Sequence, residues 1–242
     1  QAETVESIDF KSFYYQIAID ESIRHYYRLQ INGQTFEVAR LPQGARHSVG
    51  VAQVLTLAAT KLACGSIPRG SLVYIDNIFI PHFLSSSRTS DSDEPYFQHE
   101  PTREPYFKHA QQPFLVGSAS QSSTANVLGV IVDCKKKCVA VNDRVRLKLG
   151  ELRHASGTGW TMRELLRIFG ISNFILRVLH KPWSKFPSQL KLLSTICTDF
   201  ISSKLNLDDT YPLCGKTRNQ MLALMDECAS YGPTKGDVPD SA

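Results

Sequence analysis

The stretch Ser71-Leu72-Val73-Tyr74-Ile75-Asp76-Asn77-Ile78-Phe79-Ile80 constrains the chain more than any other. Two runs of β-branched and aromatic residues flank an Asp76-Asn77 break. This predicts a tight β-hairpin with the two Asx residues as its turn, because they tolerate the positive φ that a two-residue loop demands. Asp76 is then an acid at the tip of an otherwise apolar hairpin. Asp in that position is ordinary turn chemistry. Held between hydrophobic walls, it is also a carboxylate fixed in place for a cation. A second carboxylate and a loop able to grip a ligand would decide between the two.

The chain is long enough to bury a core, as one large domain or two small ones: it has 242 residues, 42% of them hydrophobic and 21% charged. Its net charge of +4 is unevenly spread. Lys135, Lys136, Lys137, Arg144, Arg146, Lys148 and Arg153 face only Asp143 and Glu151 over that stretch, and Arg163, Arg167, Arg177, Lys181, Lys185 and Lys191 follow with Glu164 alone. A basic second half is a solvated face or a surface for a polyanion, since Lys and Arg neutralise phosphates and release counterions. The six cysteines show no CxxC pair or zinc-finger spacing and read as reduced thiols of an intracellular protein, nuclear or cytoplasmic. His82, His99 and His109 have no cysteine partners and do not read as a zinc site. No apolar run approaches the ~20 residues of a membrane span, so no membrane partner is expected. The chain opens on Gln1, on an element already under way, and reads as a fragment.

In chain order, Val5 to Phe10 reads as a strand carrying Asp9, and Lys11 to Ile17 as a helical turn. His25 to Ile31 and Gln34 to Ala39 are strands joined by a type I′ turn at Asn32-Gly33. Leu41-Pro42-Gln43-Gly44 is a loop. Ser48 to Cys64 is a helix with Ser48 as N-cap and Val51, Val54, Leu55, Ala58 and Leu62 as its apolar face. From Phe83 to Thr124 the pattern fails: prolines recur, Glu94–His99 is imperfectly repeated at Glu104–His109, and a disordered insertion is expected. Asn126 to Asp133 reads as a buried strand paired across the lysine run with Cys138–Val141. Thr161 to Leu179 is helical, capped by Thr161 and Glu164 and broken at Gly170-Ile171-Ser172. Leu190 to Leu205 is a further helix, and the tail after Asn206 is turn-rich.

Three of these segments resemble, in order and rough spacing, motifs A, B and C of reverse transcriptases. They are Asp9-Phe10-Lys11-Ser12-Phe13-Tyr14-Tyr15-Gln16-Ile17, Leu41-Pro42-Gln43-Gly44 and Tyr74-Ile75-Asp76-Asn77. The flavour is that of retrotransposons, where motif A reads D-[LF]-K-S-x-Y-x-Q-I, motif B L-P-x-G and motif C Y-x-D-D. Val127-Leu128-Gly129-Val130 looks like the primer-grip strand, and Met162 to Phe174 looks like the thumb pattern. The Asn in motif C is similar to that of the tyrosine-recombinase retroelements (DIRS- and VIPER-like).

The resemblance implies an α+β fold: a polymerase palm, an antiparallel sheet backed by helices, followed by a small helical thumb. The palm would occupy 1–82, the irregular insertion 83–125, the primer-grip-like hairpin 126–157, the thumb 158–205 and the tail 206–242. The implied activity is RNA-directed DNA polymerisation by two-metal nucleotidyl transfer, with a template–primer of RNA or DNA and dNTP as partners. Two Mg²⁺ ions need hard oxygen ligands converging from separate places in the chain. By resemblance Asp9 and Asp76 hold them. Tyr14 packs under the sugar and excludes a 2′-hydroxyl, and Gln43 and Gly44 lie against the nucleotide. Lys135, Lys136, Lys137, Arg163, Arg167 and Arg177 track phosphates. The chain departs from the family at Asn77, where a second carboxylate is usual. By the same resemblance the upstream fingers region is expected to be missing from this stretch, and 83–124 stands in place of motif D. A palm fold without chemistry, acting as a nucleic-acid-binding module, and a decaying element copy are the competing readings.

Overall fold

A computed structural model describes residues 2–83, 106–154, 159–202 and 205–235. Contacts divide the chain into two units, 1–125 and 126–242. Among the described residues no helix is long and apolar enough to cross a membrane. All six cysteines are unbridged.

The first unit is built on β1 (Ala2–Phe10), whose alternating burial sends Ile8 and Phe10 into the core. A short helix α1 (Phe13–Gln16) follows. The expected strand from His25 is shorter than predicted. Asp20 accepts the Ser22 N–H and caps a 3₁₀ turn over Glu21–Tyr26, so β2 covers only Arg28–Ile31. It pairs with β3 (Gln34–Glu37) across Asn32-Gly33, where both residues have positive φ, as a type I′ turn requires.

Helix α2 covers Ser48–Cys64 as expected, but it presents a different face. Its buried residues are the small ones, Ser48, Ala52, Thr56, Ala59, Thr60 and Ala63, while Val51, Val54 and Leu62 are exposed. Ser48 is not the cap: His47 precedes the helix without a side-chain bond, and the buried Ser48 Oγ has no partner.

The hairpin of β4 (Leu72–Tyr74) and β5 (Asn77–Phe83) is shifted by one residue from the expectation. Tyr74 pairs with Asn77, so the loop residues are Ile75 and Asp76, and Asn77 belongs to the strand. The stretch expected to be irregular contains β6 (Val116–Ser122), which pairs antiparallel with β1. The expectation of disorder is corrected there: a Ser-rich segment becomes a strand because it satisfies an otherwise open edge of β1. The Glu94–His99 half of the repeat lies outside the described residues. The sheet order is β4-β5-β1-β6, and Phe107 joins the core formed by Ile8, Phe10, Ile78, Ile80 and α2.

Across the boundary at 125/126, β7 (Thr124–Val127) and β8 (Val130–Asp133) form a hairpin with Leu128 and Gly129 at positive φ, not the single buried strand expected. β9 (Cys138–Val141) pairs with β8 across the lysine turn, as predicted. Helix α3 (Asp143–His154) leads to α4 (Met162–Val178), which carries the expected capping box but no break. Glycine within a helix costs only about 1 kcal/mol, and buried Ile168, Phe169 and Ile175 on either side hold the helix through it. Then come α5 (Pro187–Ile201) and α6 (Gly215–Ser230). The latter corrects the expectation of a turn-rich tail: Met221, Leu224, Met225 and Cys228 recur at helical spacing and are buried. β10 (Thr234–Lys235) pairs with β9. The fold is thus mixed α+β, with antiparallel sheets and helices.

Candidate functional site

The site forms where the end of β1 meets the β4–β5 loop. The register pairs Asp9 with Asn77, and the Phe10 N–H donates to the Asp76 carbonyl at 3.0 Å. Residues far apart in the chain are thereby set side by side. Burial raises the Asp9 carboxyl above the usual carboxylate range, and the charge on Asp76 raises it further. Burial also raises the Tyr14 hydroxyl, followed by the charges of Asp76 and Tyr74, so Tyr14 shares this corner while packing partly against the core. The Asn77 amide donates Nδ2–H to Asp76 Oδ1 at 2.7 Å. Sequence reasoning placed Asn77 in the turn; its side chain instead orients the neighbouring carboxylate.

The loop itself is strained. Ile75 has a φ of +54°, a region that disfavours a β-branched side chain. Helix α2 holds it there. Gln53 Oε1 accepts the Ile75 N–H at 2.9 Å, Gln53 Nε2 donates to the Val73 carbonyl at 3.0 Å, and the buried Thr56 hydroxyl contacts the Ile75 carbonyl. Gln53 and Thr56 were not singled out from sequence, since nothing local marks a helix residue that braces a distant loop.

Gln43 and Gly44 lie on the loop before α2, anchored where the Leu41 N–H donates to the Ile17 carbonyl at 2.9 Å. Gly44 has a φ of +93°, which explains a glycine there. Gln43 is exposed, and among the described residues no hydrogen bond joins it to Asp9 or Asp76. Lys135, Lys136 and Lys137 are exposed in the β8–β9 turn, with Lys136 3.8 Å from Asp133. Arg167 and Arg177 are exposed on α4. Arg163 is engaged by both oxygens of Asp208, at 2.7 and 3.0 Å, so its charge is already paired.

The residue types suit a hard cation: two aspartates on adjoining backbone, close enough for the charge of Asp76 to act on Asp9, with no ion-pair partner among the described residues. A third acid does not join them, because among the described residues no group of three or more His, Cys, Asp or Glu converges.

No protein-family model and no curated protein matches the sequence. Solved structures do. A foamy viral protease-reverse transcriptase (dRH) in complex with double-stranded DNA superposes with a TM-score of 0.59 at 13% identity, over 96% of this chain and 36% of that one. The foamy viral enzyme in complex with an RNA/DNA hybrid gives 0.58 at 14% identity, over 94% and 27%. A further double-stranded DNA complex gives 0.56 at 14%, over 96% and 43%. The fold is reverse-transcriptase-like. The chain spans between 27% and 43% of the length of these neighbours. In the first unit the backbone sets Asp9 next to Asn77 and the Asp76 carbonyl, and Gln43 and Gly44 make no described bond to either aspartate.

Proposed function

We propose that this chain is the palm and thumb of a retroelement reverse transcriptase, an RNA-directed DNA polymerase in which Asp9 and Asp76 hold the Mg²⁺ ions. The observation that supports this most is the backbone pairing of Asp9 with Asn77 and of the Phe10 N–H with the Asp76 carbonyl, which sets the two acidic residues next to each other inside a reverse-transcriptase-like fold. Bound Mg²⁺ lowers the pKa of an attacking 3′-hydroxyl and neutralises departing pyrophosphate. The chain's own residues do the positioning. Asn77 holds the Asp76 carboxylate through its amide, and α2 fixes the loop backbone through Gln53 and Thr56. Tyr14 lies beside Asp76, where its ring would pack under the sugar and favour dNTP. The exposed Lys135, Lys136, Lys137, Arg167 and Arg177 meet template–primer phosphates in a salt-dependent way without reading sequence. Arg163 joins them only by leaving Asp208.

A specific observation favours a second reading. Asn77 contributes an amide where two divalent cations would call for a third negative charge, and the described residues offer no replacement. On that reading the chain is a nucleic-acid-binding module that kept the fold, or a decaying element copy. Primer extension on an RNA template separates the two. Asn77→Asp is expected to raise the rate about a hundredfold, equivalent to ~3 kcal/mol, and Asp76→Ala to abolish it. Salt-sensitive RNA binding without extension in any variant would establish the second reading instead.

A further inference from the structure

β6 departs from regular pairing at one point. Its register against β1 runs from Val5↔Ser122 to Asp9↔Ser118 and then slips, so that Phe10 faces Val116 and Gly117 is the extra residue. Such a β-bulge bends its strand and re-aims neighbouring side chains. This one stands at Asp9. A Cβ on Gly117 would lie 3.2 Å from Asp9 Oδ2 and 3.2 Å from the backbone N and Cα of Lys11. Both distances are tighter than ordinary van der Waals contact. Because the Lys11 atoms are backbone, the carboxylate is the neighbour that would yield. Gly117 has no positive φ, so the missing side chain is a matter of space and not of backbone conformation.

The strand is pinned just ahead of the bulge. The Leu115 N–H donates to Gln16 Oε1 at 2.6 Å, and the Leu115 carbonyl accepts from Gln16 Nε2 at 3.1 Å and from the Lys11 N–H at 3.0 Å. Gln16 Nε2 also donates to the Lys11 carbonyl. Leu115 is 70% exposed, so the amide of Gln16 holds this end of β6, not apolar burial.

We infer that Gly117 and Gln16 are positioning residues for the Asp9 carboxylate: the Gln16 clamp sets the bulge, and the bulge glycine leaves Asp9 the room from which it meets Asp76. This rests on the polymerase reading of the Asp9–Asp76 pair. Mn²⁺ binding to the full chain, followed by electron paramagnetic resonance alongside the metal-free Tm, tests it. Wild type is expected to bind Mn²⁺ and Asp76→Ala to lose it. Gly117→Ala and Gln16→Leu are expected to bind about tenfold more weakly, with the metal-free Tm recorded beside each to show that the fold persists. Gln16→Leu leaves the backbone at 117 intact and decides the matter where Gly117→Ala does not fold. If Asp76→Ala binds Mn²⁺ as wild type does, the polymerase reading of the pair fails. If Asp76→Ala loses binding while Gly117→Ala and Gln16→Leu keep wild-type affinity, whatever their Tm, the positioning inference fails and the polymerase reading stands.

Discussion

Both cores contain large apolar residues, but the helices of the two units bury different material. In the first, α2 buries alanines and threonines, and the same unit encloses Glu6, whose carboxylate meets His82 at 3.0 Å and accepts the Tyr106 N–H. In the second, α4 and α6 bury Met162, Leu165, Ile168, Ile175, Leu176, Met221 and Leu224 around Trp160. Small residues let a helix lie close enough to a hairpin for Gln53 and Thr56 to grip the strained Ile75 loop. Large apolar residues do not reach polar targets, but they supply more transfer free energy per side chain. The first unit therefore spends packing on positioning, and the second on cohesion.

Substitutions in each core sharpen that contrast. Leu165→Ala, in the fully buried second core, is expected to cost about 3–5 kcal/mol, read as a lower urea midpoint. Ala59→Leu, against the sheet of the first unit, is expected to cost about 1–3 kcal/mol through overpacking. It should also weaken Mn²⁺ binding, because α2 moves away from the Ile75 loop. Equal loss of Mn²⁺ affinity in Leu165→Ala would break the contrast.

A smaller effect is set by pH. Burial pushes the Cys228 thiol in the second core from 9.0 up to about 11. A thiol whose folded pKa is raised keeps its proton longer when folded. Its contribution is therefore complete below about pH 9 and is lost as the pH rises towards about 11. The expected loss is on the order of 2–3 kcal/mol across that window, and Cys228→Ala should flatten it in a series of pH-dependent melts. The smallest effect is expected at the site. Asp9→Asn removes a charge disfavoured first by burial and then by Asp76, the two causes that raise the Asp9 carboxyl, and should raise Tm slightly at pH 7.

Much of the architecture can be read from the sequence, and the failures share a cause. The Asn32-Gly33 hairpin and the Thr161–Glu164 capping box are local signals, and both form. The extent of α2 was legible, but its buried face was not, because Val54, which is 64% exposed, outweighs alanine on any hydrophobicity scale. Only the nearby hairpin makes small residues the inner ones. β6 was missed because Val116-Gly117-Ser118-Ala119-Ser120 has weak strand propensity and gains its pairing from β1. The α6 stripe of Met221, Leu224, Met225 and Cys228 is present in the sequence, but the turn-forming residues from Asn206 to Gly215 ahead of it mask it. At the candidate site, motif order singles out Asp9, Asp76 and Tyr14 as candidates. Gln16 sits inside motif A, yet its partner Leu115 is 99 positions away, and Gly117 carries no local mark of its role.

The central claim is that Asp9 and Asp76 share a cation, and crystals grown with Mn²⁺ test it most directly. An anomalous peak bound by a carboxylate oxygen of each residue at about 2.1–2.2 Å is the expected result. Manganese bound elsewhere, with the two carboxylates turned apart and unligated, would contradict it.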